Sequence, residues 1–235
     1  MLSTGLVAFV TGSSRGIGAA VVEQLTERGV TVVAASRSGV GSLTHGIGSS
    51  VLQYRLDFAD TKTLNDLDGW IQRHVGKVDI LVNNAGVYLD DERKGALDLF
   101  DTEIRLLQET FEVNFFGAAR LSWMLMPQMV KRGFGRVVNV SSGMGRLSEV
   151  ELSGAYYRLS KLALNGLTKV LAARTGKSDV LVNAVCPGWV RTDMGGSAAT
   201  RSAEEGAKGI VYAALLPTGG VNGCFLRDGG LLSWC

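Results

Sequence analysis

The chain has 235 residues, 31 of them glycine and only 3 proline, with 46% hydrophobic and 20% charged side chains. Glycine is thus nearly double its usual ~7%, yet so few prolines and no strict glycine period exclude a Pro-rich disordered or collagen-like chain. Twenty-four basic and 22 acidic residues are well mixed, for a net charge of +2, and the longest apolar runs are strand-sized, so no nucleic acid and no membrane is expected as a partner.

Leu6 to Val10 is a compact apolar run, as in strands buried on both faces. It ends at Thr11-Gly12, and Gly16 to Arg28 then has helical spacing through Ile17, Val21 and Leu25. Gly29 is a helix stop before a second strand, Val30 to Ala35. Residues 39 to 50 form a Gly/Ser-rich loop, and Val51 to Leu56 reads as a third strand. Thr61 to Val75 reads as one helix with Leu64, Leu67 and Ile71 on a face, and Val78 to Val82 as a fourth strand. Phe100, Ile104, Leu107, Phe111, Phe115, Ala118, Ser122, Leu125 and Met129 follow steps of three and four, which predicts one long helix. Gly135 to Val140 is a strand, Ser153 to Thr175 a helix and Val180 to Val185 a strand. A shorter helix from Ala203 to Leu215 and a last strand from Gly223 to Leu226 complete the chain. Strands alternating with helices imply right-handed crossovers, hence an α/β fold: a doubly wound parallel sheet in a single domain spanning residues 1–235.

Cys186, Cys224 and Cys235 lack metal-ligand spacing, so no metal is expected. An odd number cannot all pair within one chain, which points to a reducing cytoplasm. The start, Met1-Leu2-Ser3-Thr4-Gly5, has neither the basic segment nor the apolar stretch of a secretory signal.

Between the first strand and the first helix stand Thr11-Gly12-Ser13-Ser14-Arg15-Gly16-Ile17-Gly18. In that context Gly12 permits a sharp turn, Gly16 lets the backbone approach a pyrophosphate, and Gly18 lets the helix pack closely on the strand. The helix N-terminus then offers N–H groups to phosphate oxygens. An ordinary βα turn is the plainer alternative. The second strand ends Ala34-Ala35-Ser36-Arg37, without the carboxylate that would bond a ribose 2′-hydroxyl. Arg37 can instead pair with a 2′-phosphate, with Arg15 flanking it, so NADP(H) is expected in preference to NAD(H). The alternative is that both arginines are solvated loop residues.

Glycines at 12, 16 and 18 depart from Gly-x-Gly-x-x-Gly, and Thr-Gly-x-x-x-Gly-x-Gly resembles the short-chain dehydrogenase/reductase family. The resemblance spans nearly the whole chain: Asn83-Asn84-Ala85-Gly86 after strand four, Asn139-Val140-Ser141-Ser142 after strand five, Tyr157 with Lys161, and Pro187-Gly188 after strand six. It implies a Rossmann fold and a carbonyl-reductase-like oxidoreductase. Gly12, Ser14, Arg15, Gly16, Ile17, Gly18, Ser36 and Arg37 would bind the cofactor, with Asp57 accepting from the adenine. Asp57 is otherwise a residue just ahead of a helix. Asn84, Ala85 and Gly86 would line the ribose. Pro187, Gly188, Val190 and Thr192 would contact the nicotinamide carboxamide, which implies pro-S hydride transfer.

Tyr157 and Lys161 lie four residues apart and share a helix face. A free tyrosine has a pKa near ~10, and a neighbouring ammonium is expected to favour its phenolate. Tyr157 would give a proton to a carbonyl oxygen in reduction or accept one in oxidation. Lys161 would also bind the nicotinamide ribose. Ser142 would polarise the carbonyl; the residues alone do not separate it from Ser141, and the family pattern favours Ser142. Asn114, set in the apolar helix, would hold a water beside the lysine in a proton relay, or else be an exposed or capping residue.

The short segments 39–50 and 192–203 point to an open, permissive pocket, with Tyr88, Leu89, Met144, Leu147, Leu152, Tyr156, Trp189 and Met194 as candidate walls. The expected function is NADPH-dependent reduction of a small, mostly apolar ketone or aldehyde. A secondary-alcohol dehydrogenase running towards oxidation, or a non-catalytic dinucleotide sensor, is the alternative. The resemblance also implies a homodimer or homotetramer, associating through the helices of Asn114 and Tyr157.

Overall fold

The structure, a computed structural model, describes residues 4–39, 50–91, 103–149 and 153–235. The strands are β1 (Val7–Thr11), β2 (Thr31–Ser36), β3 (Val51–Arg55), β4 (Ile80–Asn83), β5 (Phe134–Val140), β6 (Asp179–Val185), β7 (Phe225–Arg227) and β8 (Gly230–Leu232). They form one sheet in the order β3-β2-β1-β4-β5-β6-β7-β8. Every pairing is parallel except β7 with β8, where Arg227 sits opposite Gly230 in a tight antiparallel return. That eighth strand is an addition to the expected sheet; three residues are too short to carry a periodic signal.

Side-chain alternation sorts the sheet into two cores. Val7 and Phe9 of β1 face one core while Ala8 and Val10 face the other, and Val33 and Ala35 of β2 oppose Val32 and Ala34 in the same way. Because both faces are covered, the strands read as unbroken apolar runs. One face is covered by α1 (Gly16–Thr26) together with a late helix over Ala203–Ala214.

The opposite face carries α2 (Thr61–Asn65), α3 (Leu67–His74), α4 (Ile104–Phe111), α5 (Gly117–Arg132) and α6 (Ala155–Ala173); the Ala203–Ala214 helix is α7. Two helical expectations need correction. Thr61 to Val75 is broken at Asp66, which ends α2 and begins α3. The single long helix is interrupted by a π segment, Glu112–Phe116, between α4 and α5. One extra residue per turn there breaks the predicted stripe: Ile104 is 64% exposed, whereas Ala118, Ser122, Leu125 and Met129 are buried. Phe100 and the Gly/Ser-rich loop over 40–49 lie outside the described residues.

The ends of β1, β2, β4, β5 and β6 meet at the carboxyl edge of the sheet. In doubly wound folds ligands bind there, where the strand order reverses. Here that reversal falls between β1 and β4.

Candidate active site

The glycine loop leaves β1 at Thr11 and enters α1 at Gly16. Gly12 has φ +65°, and a Cβ on it would lie 2.8 Å from the Ala85 Cα. A Cβ on Gly18 would run into the Gly12 carbonyl oxygen. Both positions therefore require glycine, one for conformation and contact, the other for contact alone. The first turn of α1 has no side-chain cap and no acidic residue, so its N–H groups and positive end are open to an anion.

Thr11 and Asn84 tie this loop to the next strand. The Thr11 Oγ1 accepts from the backbone N–H groups of Asn84 and Ala85, both at 3.0 Å. The Asn84 Nδ2 donates back to the carbonyls of Thr11 (2.9 Å) and Gly12 (3.2 Å). Behind it, the Asn83 Nδ2 donates to the Asn139 Oδ1, and the Asn139 Nδ2 donates to the Thr168 Oγ1. That buried amide chain joins β4, β5 and α6, and no periodicity in the sequence marks it.

At the end of β2, Ser36 is buried with its hydroxyl 3.3 Å from that of Ser38, and Arg37 is exposed. Arg15 is 3.0 Å from Asp193, with both side chains exposed. The Asp57 Oδ1 accepts from the Ala59 N–H, a local turn just ahead of α2. These residues fit a dinucleotide: the glycine cradle is shaped for close backbone approach, and the end of β2 carries an exposed Arg37 and no carboxylate.

Ser142, Tyr157 and Lys161 come together across β5 and α6. Tyr157 and Lys161 are buried, with the Lys161 Nζ 5.6 Å from the Tyr157 ring centre. Ser142 follows β5, accepts from the Met144 N–H at 3.2 Å and hydrogen-bonds Tyr157. Ser141 is turned away, donating to the Asn165 Oδ1 at 2.6 Å, and this separates the two adjacent serines.

The electrostatics correct one expectation. Burial pushes the Tyr157 hydroxyl far above its ordinary range, and only the Ser142 hydrogen bond opposes it. Burial likewise lowers the Lys161 ammonium to about 8. The Lys161 Nζ donates to the Val140 carbonyl at 2.8 Å. Desolvation outweighs the expected ammonium effect and favours the protonated phenol.

Asn114 lies in the π segment and is 1% exposed. Its Oδ1 accepts from the Val87 N–H (2.8 Å), and its Nδ2 donates to the Val87 carbonyl and the Ser160 Oγ (2.9 Å each). Both side-chain N–H bonds are thus taken, so a water held by this residue would have to use a carbonyl oxygen. Gly86 passes nearby: a Cβ on it would be 3.4 Å from the Asn114 Oδ1 and 3.5 Å from the Lys161 Nζ.

The segment after β6 arches over the glycine loop. Thr192 lies against Gly16, where an added Cβ would sit 3.1 Å from its methyl. Val190 pairs with Arg201 in a parallel bridge, closing the segment on itself. Gly188 has φ +82°, and the Arg201 side chain fills the space a Cβ there would need. Arg201 in turn donates to the Pro187 carbonyl and to both carboxylate oxygens of Asp228.

Of the candidate pocket walls, Leu89, Leu147 and Trp189 are exposed, Tyr88, Met144 and Met194 half-buried, and Tyr156 buried. The Trp189 Nε1 donates to the Gly195 carbonyl, and Tyr88 stacks on Tyr157 with ring centres 4.6 Å apart. Leu152 lies outside the described residues. Among the described residues, no group of three His, Cys, Asp or Glu side chains is placed to hold a metal, and no helix is long and apolar enough to cross a membrane.

Residues 6–203 match the family described as short chain dehydrogenase. The chain is 32% identical to carbonyl reductase (NADPH) 1 of Bos taurus, with 100% of each covered. It is 34% identical to (+)-neomenthol dehydrogenase of Arabidopsis thaliana, over 93% of this chain and 94% of that one. The solved structure of salutaridine reductase from Papaver somniferum superposes with a TM-score of 0.82 at 29% identity, covering 95% of this chain and 99% of that one.

Proposed function

The chain belongs to the short-chain dehydrogenase family, oxidoreductases of carbonyl and CH–OH groups, and on that premise we propose that it is a single-domain, NADPH-dependent reductase of small ketones and aldehydes. The observation that carries this reading is a buried Tyr157 held protonated at the sheet edge, hydrogen-bonded to Ser142 and with Lys161 one helical turn away. A protonated phenol is the form needed to donate to a carbonyl oxygen. A non-catalytic sensor would have no need to keep these three side chains together.

When bound, the cofactor supplies the hydride. Gly12, Ser14, Arg15, Gly16, Ile17 and Gly18 would hold its pyrophosphate, Ser36 and Arg37 its 2′-phosphate, and Asp57 the adenine side. Asn84, Ala85, Gly86, Tyr157 and Lys161 would line the nicotinamide ribose, and Pro187, Gly188, Val190 and Thr192 the carboxamide. The pair of Arg15 with Asp193 is exposed and therefore weak, leaving Arg15 able to turn to a phosphate.

The Ser142 hydroxyl holds the substrate oxygen and stabilises the charge that grows on it, while Tyr157 delivers its proton to that oxygen. Lys161 restores the proton, and Asn114 fixes Val87 and Ser160 around it. The family resemblance of the Pro187–Thr192 turn implies pro-S transfer, which deuterium labelling of the reduced cofactor checks; pro-R transfer contradicts it. The exposed Trp189, Leu147 and Leu89 support an open, permissive mouth. Exposed apolar residues on α5 and α6 support a homodimer or homotetramer, and three unpaired cysteines fit a cytoplasmic location.

The test is a panel of aldehydes, ketones and quinones run with NADPH and with NADH. Tyr157→Phe is expected to lower turnover at least about 100-fold while cofactor binding is kept. Unchanged turnover in that variant overturns the mechanism, and one strongly preferred substrate overturns the permissive pocket.

A further inference from the structure

We infer that Asp90 is a positioning residue for Tyr157: its carboxylate caps the N-terminus of α6 from outside the helix and sets where the phenol stands. The inference rests on the reading of Tyr157 as proton donor.

The first turn of any helix leaves several N–H groups without intrahelical partners, and a side chain at the cap position ordinarily satisfies one or two. Here the cap position is Gly154, which has no side chain to offer, and the first turn of α6 contains no acidic residue. A larger residue cannot replace it. Gly154 has φ +68°, and a Cβ there would run into the Tyr88 hydroxyl and ring.

The missing cap comes from another part of the chain. The Asp90 Oδ2 accepts from the Tyr156 N–H at 2.6 Å, and its Oδ1 accepts from the Tyr157 N–H at 3.2 Å. Asp90 is 6% exposed, so these are bonds to a buried carboxylate and geometrically demanding. The Tyr157 backbone is held from its other end too, because the Ser160 Oγ donates to its carbonyl at 2.7 Å.

Asp90 does not act from a loose loop. Val87, three residues earlier, is gripped at both N–H and carbonyl by the Asn114 side chain, and Tyr88 stacks on the Tyr157 ring. Residues 87–90 thus form a splint running from the Asn84–Gly86 segment, which is bonded to the glycine loop, to the start of α6. Losing the cap frees the first turn, and displacement of an acid by about 1 Å costs up to about 100-fold in rate.

The experiment compares Asp90→Ala and Asp90→Asn with the wild type, each also in a Tyr157→Phe background. The readouts are kcat, the NADPH dissociation constant by fluorescence titration, and the deuterium isotope effect with 4-deuterated NADPH. Asp90→Ala is expected to lower kcat about 10- to 100-fold, leave NADPH binding within about twofold and raise the isotope effect on kcat, because the chemical step becomes slower. Asp90→Asn keeps one acceptor oxygen and is expected to show the same pattern at smaller size; it decides the matter if the alanine variant does not fold. In the Tyr157→Phe background neither change is expected to lower the residual rate further, since residues acting through one another are non-additive. A kcat that falls only in proportion to the fraction of folded protein, with an unchanged isotope effect, overturns the inference. Additive losses in the Tyr157→Phe background overturn it as well. Full activity of Tyr157→Phe itself would instead strike at the underlying reading of Tyr157.

Discussion

At the residue scale, the site turns on two buried groups whose charges are set by desolvation. Tyr157 is kept neutral and Lys161 is brought to about 8, so the cation is lost as the pH rises through that value. Since Lys161 is to bind the ribose and return the proton as an ammonium, kcat/KM for reduction is expected to fall above about pH 8. The stability linkage runs the other way. The folded pKa of Lys161 lies below its unfolded value, so between about 8 and the ordinary lysine value the unfolded chain binds more protons and stability rises with pH. A pH–rate profile beside melting temperatures checks this; activity and stability falling together above pH 8 would refute the assignment. Arg37 carries a second prediction. Arg37→Glu places a carboxylate where the 2′-phosphate would lie, and NADPH affinity is expected to drop at least about tenfold while NADH gains. Unaltered preference in binding titrations would remove Arg37 from the phosphate site.

At the scale of elements, the glycine loop and the π segment do different kinds of work. The loop is an exclusion device: Gly18 admits no side chain because the Gly12 carbonyl occupies that space. Gly18→Ala is expected to destabilise the fold by about 1–3 kcal/mol, as overpacking does, and to weaken cofactor binding more than the substrate KM. Denaturant unfolding and cofactor titration check it, and a variant with wild-type values in both would show that α1 can shift to make room. The π segment is a placement device. It turns Asn114 inwards onto Val87 and Ser160, whereas the regular helix read from the sequence continues the stripe without a break. Steps of three and four pass through Phe111, Phe115 and Ala118 whether or not an extra residue is looped out, which is why periodicity could not reveal it.

At the scale of the molecule, two cores hold an eight-stranded sheet with the candidate site at its carboxyl edge, and α5 and α6 leave several apolar side chains exposed. Trp123 is 64% exposed and Val170 61%, with Phe116 and Leu159 also exposed on the same two segments of chain. Burial of such side chains is worth about 1.5–3 kcal/mol each, which is what the proposed association through these helices would draw on. Trp123→Glu combined with Val170→Glu is expected to reduce a dimer or tetramer to a smaller species, as measured by light scattering. A wild type that is monomeric at micromolar concentration contradicts the proposal.

The alternation of β1 to β7 with helices, the parallel core of the sheet and the motif positions were legible in the sequence, because hydrophobic period and glycine spacing are local properties of a chain; β8 and the breaks at Asp66 and Glu112–Phe116 were not. What the tertiary structure alone decided depends on distance between residues far apart in the chain. Ser141 bonds Asn165 while Ser142 reaches Tyr157; the Thr11 hydroxyl joins the glycine loop to β4; Asp90 supplies the cap that Gly154 cannot. The protonation of Tyr157 belongs to the same class. Proximity to a lysine is visible four residues apart, but the degree of burial that outweighs it exists only once two cores have closed around the sheet.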